Sequence, residues 1–396
     1  MNEHPVLGQV VLGYSPMIDR KRAVIASHLT VFPLRADAPP EAAALLRALG
    51  EVWTGEGEGL ALNIASETLL RECMALLPPA HIMLEVPAFM AANPDYEVWL
   101  RALHAQGTTL LIKGRPATEL PPRVLPFFKY SIIDIGEDRR IDEPVPQGVI
   151  RQIGFVQSGI HDVSQVESSF RRGAAAVLGW PVDEPVGKDG VTGGAPEVAV
   201  VVELINRVDR QEPVDRLEAV LKDHPDLAVR LLRYINSPAF GLPAEIGSFQ
   251  QAVNMLGFQK LQRWLALLLA SASTDLNMTP VMFAAVRRGL LMEELVRSSG
   301  SERQRSEMFI CGVFSLLDCM MGQPFDELLQ NIPVPKDVFD ALVHGTGPHR
   351  AYLEVVLAVE QESLFDIRAA ADRQILSVAE VNRALLRALV AARQID

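Results

Sequence analysis

Apolar residues follow two different patterns in the two parts of the chain. In the first 185 residues, short apolar and β-branched runs alternate with turns and with segments of helical periodicity. The candidate strands lie at residues 8–19, 23–34, 59–65, 81–87, 108–114, 130–136, 149–159 and 175–180. Strands that alternate with helices predict βαβ units and a largely parallel sheet. Their number suggests a (β/α) barrel. The span is short of the ~250 residues of a complete one, so we expect some crossover helices to be reduced or missing.

Helical periodicity dominates from residue 197 onward. Ser248 is suited to cap a helix that we expect to end at Gly257. The next segment becomes apolar on all sides after Trp264, which predicts a fully buried helix with Trp264 in the core. We therefore predict two domains of different class. An α/β domain over residues 1–185 is joined by a linker, 186–196, to an all-α domain over 197–396, because Pro, Gly and Asp are concentrated around the linker.

Composition and charge restrict the class of protein. Acidic residues exceed basic ones by 49 to 37, a formal net charge of −12, so a nucleic-acid partner is not expected. The three cysteines have no C-x-x-C spacing, which disfavours a disulfide framework or a structural zinc site. The N-terminus lacks the pattern of a secretory signal, and no apolar run approaches the ~20 residues of a membrane span. We therefore expect a cytoplasmic protein without membrane insertion.

The helical part carries a long spaced motif. Its residues are Asp223, Pro225, Asn236, Ser237, Phe240, Gly241, Leu256 and Gly257. This motif resembles the HDOD domain, a relative of the HD phosphohydrolases that occurs in bacterial signalling proteins. Asn236 and Ser237 have a second interpretation, because they could cap the end of a helix instead of contacting a ligand or a partner.

The metal-binding residues of the HD enzymes are missing from this pattern. The resemblance places Ser315 and Leu316 where the His-Asp pair would lie, and Arg287 and Arg288 where an upstream histidine is expected. None of these side chains can replace imidazole plus carboxylate as metal ligands. The other histidines of this part are expected to hold no metal; they are His224, before a helix, and the solvated loop residues His344 and His349.

The first part resembles the EAL domain, which precedes HDOD in a known bacterial architecture and hydrolyses cyclic di-GMP with two divalent cations. Residues 14–32 resemble its opening strand-turn-strand, with His28 at the glutamate of the Glu-x-Leu signature. The resemblance identifies Asn63 and Glu85 as retained metal-binding positions. Both metal-binding aspartates are absent around residues 112–114, Asp134 replaces the catalytic lysine, and Gln157 replaces a later glutamate.

These losses lead to the expectation that the barrel is not an enzyme. Two closely spaced cations need several anionic ligands, whereas Asn63 and Glu85 supply one negative charge. We therefore expect no metal, no cofactor and no catalytic residue, and we regard His28, Asn63, Glu85, Asp134 and Gln157 as vestigial positions.

Three functions remain to be compared. The first is a catalytically inactive regulatory protein that acts through protein partners; the resemblance implies a pathway linked to cyclic di-GMP, motility or two-component signalling. The second is a cyclic di-GMP phosphodiesterase with residual activity. The third is a receptor that binds cyclic di-GMP without hydrolysis, with Arg20, Lys113 and Arg115 as candidate phosphate contacts. We favour the first, and a homodimer is compatible with it.

Overall fold

A closed eight-stranded barrel forms the N-terminal part of the computed structural model, which describes residues 4–35, 37–53, 58–114, 120–138, 153–186, 195–224, 227, 249–270 and 275–393. The strands follow one another around the barrel in chain order. They are β1 Val10–Asp19, β2 Val24–Pro33, β3 Gly59–Ile64, β4 Ile82–Pro87, β5 Leu110–Lys113, β6 Phe128–Asp134, β7 Gly154–Ile160 and β8 Ala176–Gly179. Each lies within or overlaps a strand predicted from the sequence, so the predicted α/β barrel is confirmed.

The first strand runs against the others. Strands β2 to β8 are parallel to one another, whereas β1 is antiparallel to the two strands beside it, β2 and β8. Val10 at the start of β1 therefore pairs with Pro33 at the end of β2. As a result, the beginning of β1 and the carboxyl ends of the other strands form the same rim, which we call the barrel mouth. The hairpin between β1 and β2 lies at the opposite end.

Crossover helices cover part of the barrel. They are α1 Ala42–Gly50, α2 Glu67–Ala75, α3 Ala88–Ala92, α4 Glu97–Gln106 and α5 Val163–Arg171. Side chains at two N-caps explain where helices begin, since Ser66 accepts from the Leu69 amide and Asp162 accepts from the Gln165 amide. The described part of the β5–β6 connection contains only the 3₁₀ turn Leu125–Phe127. This reduced crossover agrees with the expectation from the short span.

The second part is helical throughout its described residues. Its helices are α6 Ala195–Asp209, α7 Val214–Lys222, α8 Phe249–Ala270, α9 Met278–Leu295, α10 Glu302–Phe314, α11 Leu317–Met321, α12 Phe325–Asn331, α13 Lys336–Phe339, α14 Gly347–Glu360, α15 Leu364–Arg373 and α16 Val378–Ala392. Gly257 interrupts α8 with φ 72° and ψ 170°, at the position where the sequence predicted a helix end. Trp264 is buried, as expected for a core residue.

Helices α9 and α10 pack with their backbones in close contact. A Cβ added at Gly312 would lie 2.6 Å from backbone atoms of Arg288 and from Cα of Gly289. Only glycine fits such a crossing. No helix among the described residues is long and apolar enough to cross a membrane.

The compact units differ from the predicted domains in one respect. The first unit contains residues 1–184 and also 357–383, and the second contains residues 185–356 and 384–396. The predicted all-α domain, 197–396, is therefore too long, because its segment 357–383 packs with the barrel. Most of the predicted linker, 186–196, lies outside the described residues.

Candidate functional site

The barrel mouth gathers three of the predicted positions. Alternate residues of a strand share a face. On β2, His28 lies on the same face as Ala26, which belongs to the apolar interior of the barrel. Asn63 shares the face of Ala61 in the same way on β3. Glu85 of β4 also reaches the mouth, where its carboxylate meets His28. The structure therefore brings His28, Asn63 and Glu85 together at the barrel mouth.

A histidine between two carboxylates occupies the centre of this site. His28 Nε2 lies 2.5 Å from Glu85 Oε1, and His28 Nδ1 lies 3.1 Å from Glu362 Oε1. The side chain of His28 is 7% exposed and that of Glu85 is 1% exposed. Glu362 comes from the turn between α14 and α15, 334 residues along the chain from His28. We call these three residues the mouth triad.

The geometry favours a positive charge on His28. Both ring nitrogens face carboxylate oxygens, which accept but do not donate, so both nitrogens donate a proton. Burial opposes this charge, but Glu85 and Glu362 outweigh it and raise the pKa of His28 to about 10. Burial likewise acts to raise the pKa of Glu362, but His28 and the hydrogen bonds from Thr30 and Ser15 lower it to about 2. The site thus contains an ion cluster at neutral pH.

Two hydroxyl groups complete the hydrogen bonding of Glu362, and an amide group holds one of these hydroxyls. Ser15 Oγ donates to Glu362 Oε1 over 2.7 Å, and Thr30 Oγ1 donates to Glu362 Oε2 over 2.6 Å. Asn63 Nδ2 donates to Thr30 Oγ1 over 3.0 Å. The retained asparagine is therefore engaged in holding Thr30, which in turn holds the carboxylate of Glu362.

Lys113 stands at the edge of the triad. Its Nζ lies 3.7 Å from Glu85 Oε2, and its side chain is 45% exposed. A cleft of about 400 Å³ opens beside it, with Thr30, Asn63 and Glu362 in its lining. The two cations His28 and Lys113 balance the two carboxylates of the triad, so little negative charge is left to hold a further cation.

A glycine on β1 makes room for Glu362. A Cβ on Gly13 would lie 2.8 Å from Cα and 2.9 Å from Cβ of Glu362, closer than real Cβ contacts. Glu362 itself adopts a left-handed backbone conformation with φ 53°, which is uncommon for a residue other than glycine. Its buried ion pair and hydrogen bonds offset the cost of this conformation.

Asp134 and one candidate phosphate contact, Arg20, have other places in the structure. Asp134 is exposed at the end of β6, where its carboxylate accepts from the Gly136 amide over 2.9 Å and caps a short turn. Arg20 lies in the hairpin at the opposite end of the barrel and donates to the Ala174 carbonyl, so it does not reach the mouth. The reason is that β1 is antiparallel. Arg115 lies outside the described residues.

Gln157 does not face the barrel interior, unlike His28, Asn63 and Glu85. Its amide donates to the Ile133 carbonyl and accepts from Arg172, which follows α5 on the outside of the barrel. Its neighbour Val156 faces the barrel interior, so Gln157 faces away from it.

The predicted HDOD motif is only partly described. Asp223 follows the last turn of α7, and Gly257 has the left-handed conformation given above. Leu256 lies in α8. The other motif positions lie outside the described residues: Pro225, Asn236, Ser237, Phe240 and Gly241.

An arginine occupies the region where the resemblance placed the HD metal ligands. Arg288 NH1 donates to Ser315 Oγ over 3.2 Å, and both Arg287 and Arg288 are buried. A guanidinium at this point disfavours a cation there by charge repulsion.

The two histidines that were expected to be solvated differ in their exposure. His344 is exposed, as expected, whereas His349 is only 2% exposed, so its expected solvation is wrong.

Part of the helical region is similar to a known domain family. Residues 195–323 match the model of the HDOD domain. Two relatives resemble longer stretches of the chain. YuxH of Bacillus subtilis is 27% identical over 165 residues, which are 41% of this chain and 40% of YuxH. Cyclic di-GMP phosphodiesterase CdgJ of Vibrio cholerae is 23% identical over 303 residues, which are 74% of this chain and 69% of CdgJ.

A solved structure also resembles the barrel part. The EAL domain of Mycobacterium smegmatis DcpA is 16% identical, with a TM-score of 0.34, over 45% of this chain and 93% of that chain.

Glu362 is the site residue that sequence reasoning missed. It lies 347 residues from Ser15 in the chain, within a helical segment assigned to the other domain. No short motif surrounds it. The one signal in the sequence is an acidic residue in the helix-to-helix turn, directly before the Ser363 cap of α15.

Proposed function

We propose that this chain is a catalytically inactive signalling protein that acts through protein partners. The observation that carries the proposal is the mouth triad. Glu85, the retained carboxylate among the metal-binding positions, is bonded through Oε1 to the charged His28, and Lys113 lies 3.7 Å from its Oε2. Glu362 reaches the same histidine from the other side.

The charges of the mouth also argue against a pair of metal ions. Two divalent cations about 3.5–4 Å apart repel each other and need several anionic oxygens. Here Glu85 and Glu362 are neutralised by His28 and Lys113. Binding metals would require His28 to lose its proton and leave the site, against a pKa that its partners raise to about 10.

The related phosphodiesterase CdgJ makes hydrolysis of cyclic di-GMP the competing function. The direct test incubates the full chain with cyclic di-GMP and either Mg²⁺ or Mn²⁺, with CdgJ as the positive control. We expect no linear dinucleotide above the background of a protein-free sample. Turnover that disappears in Glu85→Gln would overturn the proposal.

The receptor alternative draws on the cleft beside Lys113. Isothermal titration of the full chain with cyclic di-GMP separates it from the proposal. We expect no heat of binding at high micromolar nucleotide. Saturable binding that is weakened by Lys113→Glu would favour the receptor.

The partner-binding part of the proposal rests on the HDOD match and on the absence of a usable catalytic site in the described barrel. We assign the contact to the second compact unit, which includes all of residues 195–323. Affinity capture with the full chain, followed by cross-linking mass spectrometry, maps the contact. Cross-links confined to the barrel would contradict this assignment.

A further inference from the structure

Two acidic side chains and one histidine converge on one point of the second compact unit. Glu307 belongs to α10, Asp337 to α13 and His349 to the first turn of α14. One ligand atom from each residue lies within 4.8 Å of the other two. We call these residues the helical cluster. They come from three separate helices, so their convergence is a property of the fold and not of a local acidic run.

His349 is the member that points to a ligand. Its side chain is 2% exposed, and neither ring nitrogen has a hydrogen-bond partner among the described residues. Nε2 lies 3.6 Å from Glu307 Oε2, too far for a hydrogen bond. Buried polar groups in folded proteins are normally paired with protein, water or an ion. A bound ion at this point would satisfy the imidazole.

The state of the three side chains suits a cation. Both ring nitrogens of His349 are without a hydrogen-bond partner among the described residues, so either of them can coordinate a metal ion. Glu307 is oriented by Arg303, whose Nε donates to Oε1 over 2.7 Å. The other oxygen, Oε2, faces His349. Hydrogen bonds from neighbouring residues orient metal ligands in the same way in known metal sites.

We propose that Glu307, Asp337 and His349 form a binding site for a divalent transition-metal ion, with Zn²⁺ as the best fit. One imidazole nitrogen and two carboxylates give a donor set that Zn²⁺ accepts, with water as a fourth ligand. Mg²⁺ and Ca²⁺ prefer oxygen ligands alone. Zinc–ligand distances of about 2.0–2.2 Å place the ligand atoms of a tetrahedral site roughly 3.4 Å apart. The distance of 3.6 Å between Glu307 and His349 is already close to this value.

The metal would tie α10, α13 and α14 together and stabilise the second unit. A ligand that binds only the folded state raises its stability in proportion to the logarithm of the ligand concentration. The proposal does not depend on the function of the barrel, because no residue of the mouth triad takes part.

Isothermal titration with ZnCl₂ at pH 7 tests the site, on the full chain after treatment with a chelator and dialysis. We expect one saturable site, and an increase of the melting temperature with Zn²⁺ that Mg²⁺ does not reproduce. Glu307→Gln and Asp337→Asn keep the shape of the side chains and should each weaken Zn²⁺ binding at least tenfold. Co²⁺ should show the visible absorption of a low-symmetry site in the parent and lose it in His349→Asn.

The matched control is His344→Ala, which removes an exposed histidine five positions before His349 in the same region. This variant should bind Zn²⁺ like the parent. Circular dichroism checks that each variant is folded. The absence of saturable Zn²⁺ binding by the parent would overturn the proposal. So would folded Glu307→Gln and Asp337→Asn variants that bind Zn²⁺ as tightly as the parent.

Discussion

His28 shows how a single residue can change the chemistry of a site. At the position of the glutamate in the Glu-x-Leu signature, it brings a positive charge into the barrel mouth. A positively charged His28 would repel metal ions bound by the neighbouring Glu85. The sequence predicted the replacement of the glutamate but not the new ion pairs, because the second carboxylate comes from a distant segment.

Removing the histidine should destabilise the fold. His28→Gln leaves Glu85 and Glu362 close together without the buried cation between them. Breaking a buried ion pair in this way costs about 3–5 kcal/mol in the free energy of unfolding. Urea unfolding followed by circular dichroism measures the loss. His161→Gln, at a largely exposed histidine, should change the free energy by less than about 0.5 kcal/mol. A loss below about 1 kcal/mol for His28→Gln would contradict the ion-cluster account.

The stabilisation by the triad should depend on pH in two directions. The folded pKa of His28 is raised from 6.5 to about 10, so its contribution is complete below pH 6.5 and is lost as the pH rises towards 10. The folded pKa of Glu362 is lowered from 4.5 to about 2, so its contribution is present above pH 4.5 and is lost as the pH falls towards 2.

The difference in unfolding free energy between the parent and His28→Gln, measured from pH 3 to pH 10, tests this dependence. We expect the largest difference between about pH 4.5 and 6.5 and a steady decline above it. A difference that grows between pH 7 and 10 would contradict a charged histidine.

Among the elements, the strands were predictable and the turn between α14 and α15 was not. Apolar runs with β-branched residues identify strands locally, and all eight lie where the sequence placed them. The contact of the turn with β1 depends instead on a shape match between Gly13 and Glu362. Such a match leaves no periodic signal, and neither does the bonding of Asn382 in α16 to backbone groups near the start of β1.

Gly13→Val should expel the turn from the barrel mouth. The new Cβ would lie 2.8 Å from Cα of Glu362, and backbone atoms cannot give way cheaply. We expect faster hydrogen exchange in residues 357–373 and a lower melting temperature. Gly8→Ala is the control, since its Cβ would meet only Ala379 Cβ at 3.7 Å, an ordinary contact. Equal exchange in the parent and Gly13→Val would show that Glu362 does not depend on this glycine.

On the scale of the whole molecule, the chain returns to its first compact unit near its C-terminus. The unit is completed by residues 357–383, and Asn382 donates to the carbonyls of Leu7 and Val10 and accepts from the Leu12 amide. Sequence reasoning divides a chain at changes of composition, so it assigned this helical segment to the helical domain. Segments that return to an earlier unit cannot be detected in that way.

Deleting the returning segment should weaken the start of β1. A chain that ends at Val356 lacks both Glu362 and Asn382, and each backbone group that loses its partner costs about 1–3 kcal/mol if it remains buried. We expect much faster hydrogen exchange in residues 7–15. A chain that ends at Arg393 is the control, because it keeps all the described residues. Unchanged protection of residues 7–15 in the shorter chain would contradict the contact.

The central claim is that the barrel mouth holds an imidazolium between two carboxylates in place of metal ions. Nuclear magnetic resonance of the full chain with ¹⁵N-labelled histidine tests it most directly, with the signals of His28 assigned from the His28→Gln variant. At pH 8 we predict that both ring nitrogens of His28 are protonated and that adding Mg²⁺ leaves their shifts unchanged. A neutral ring at pH 8, or a Mg²⁺-dependent shift that disappears in Glu85→Gln, would contradict the account.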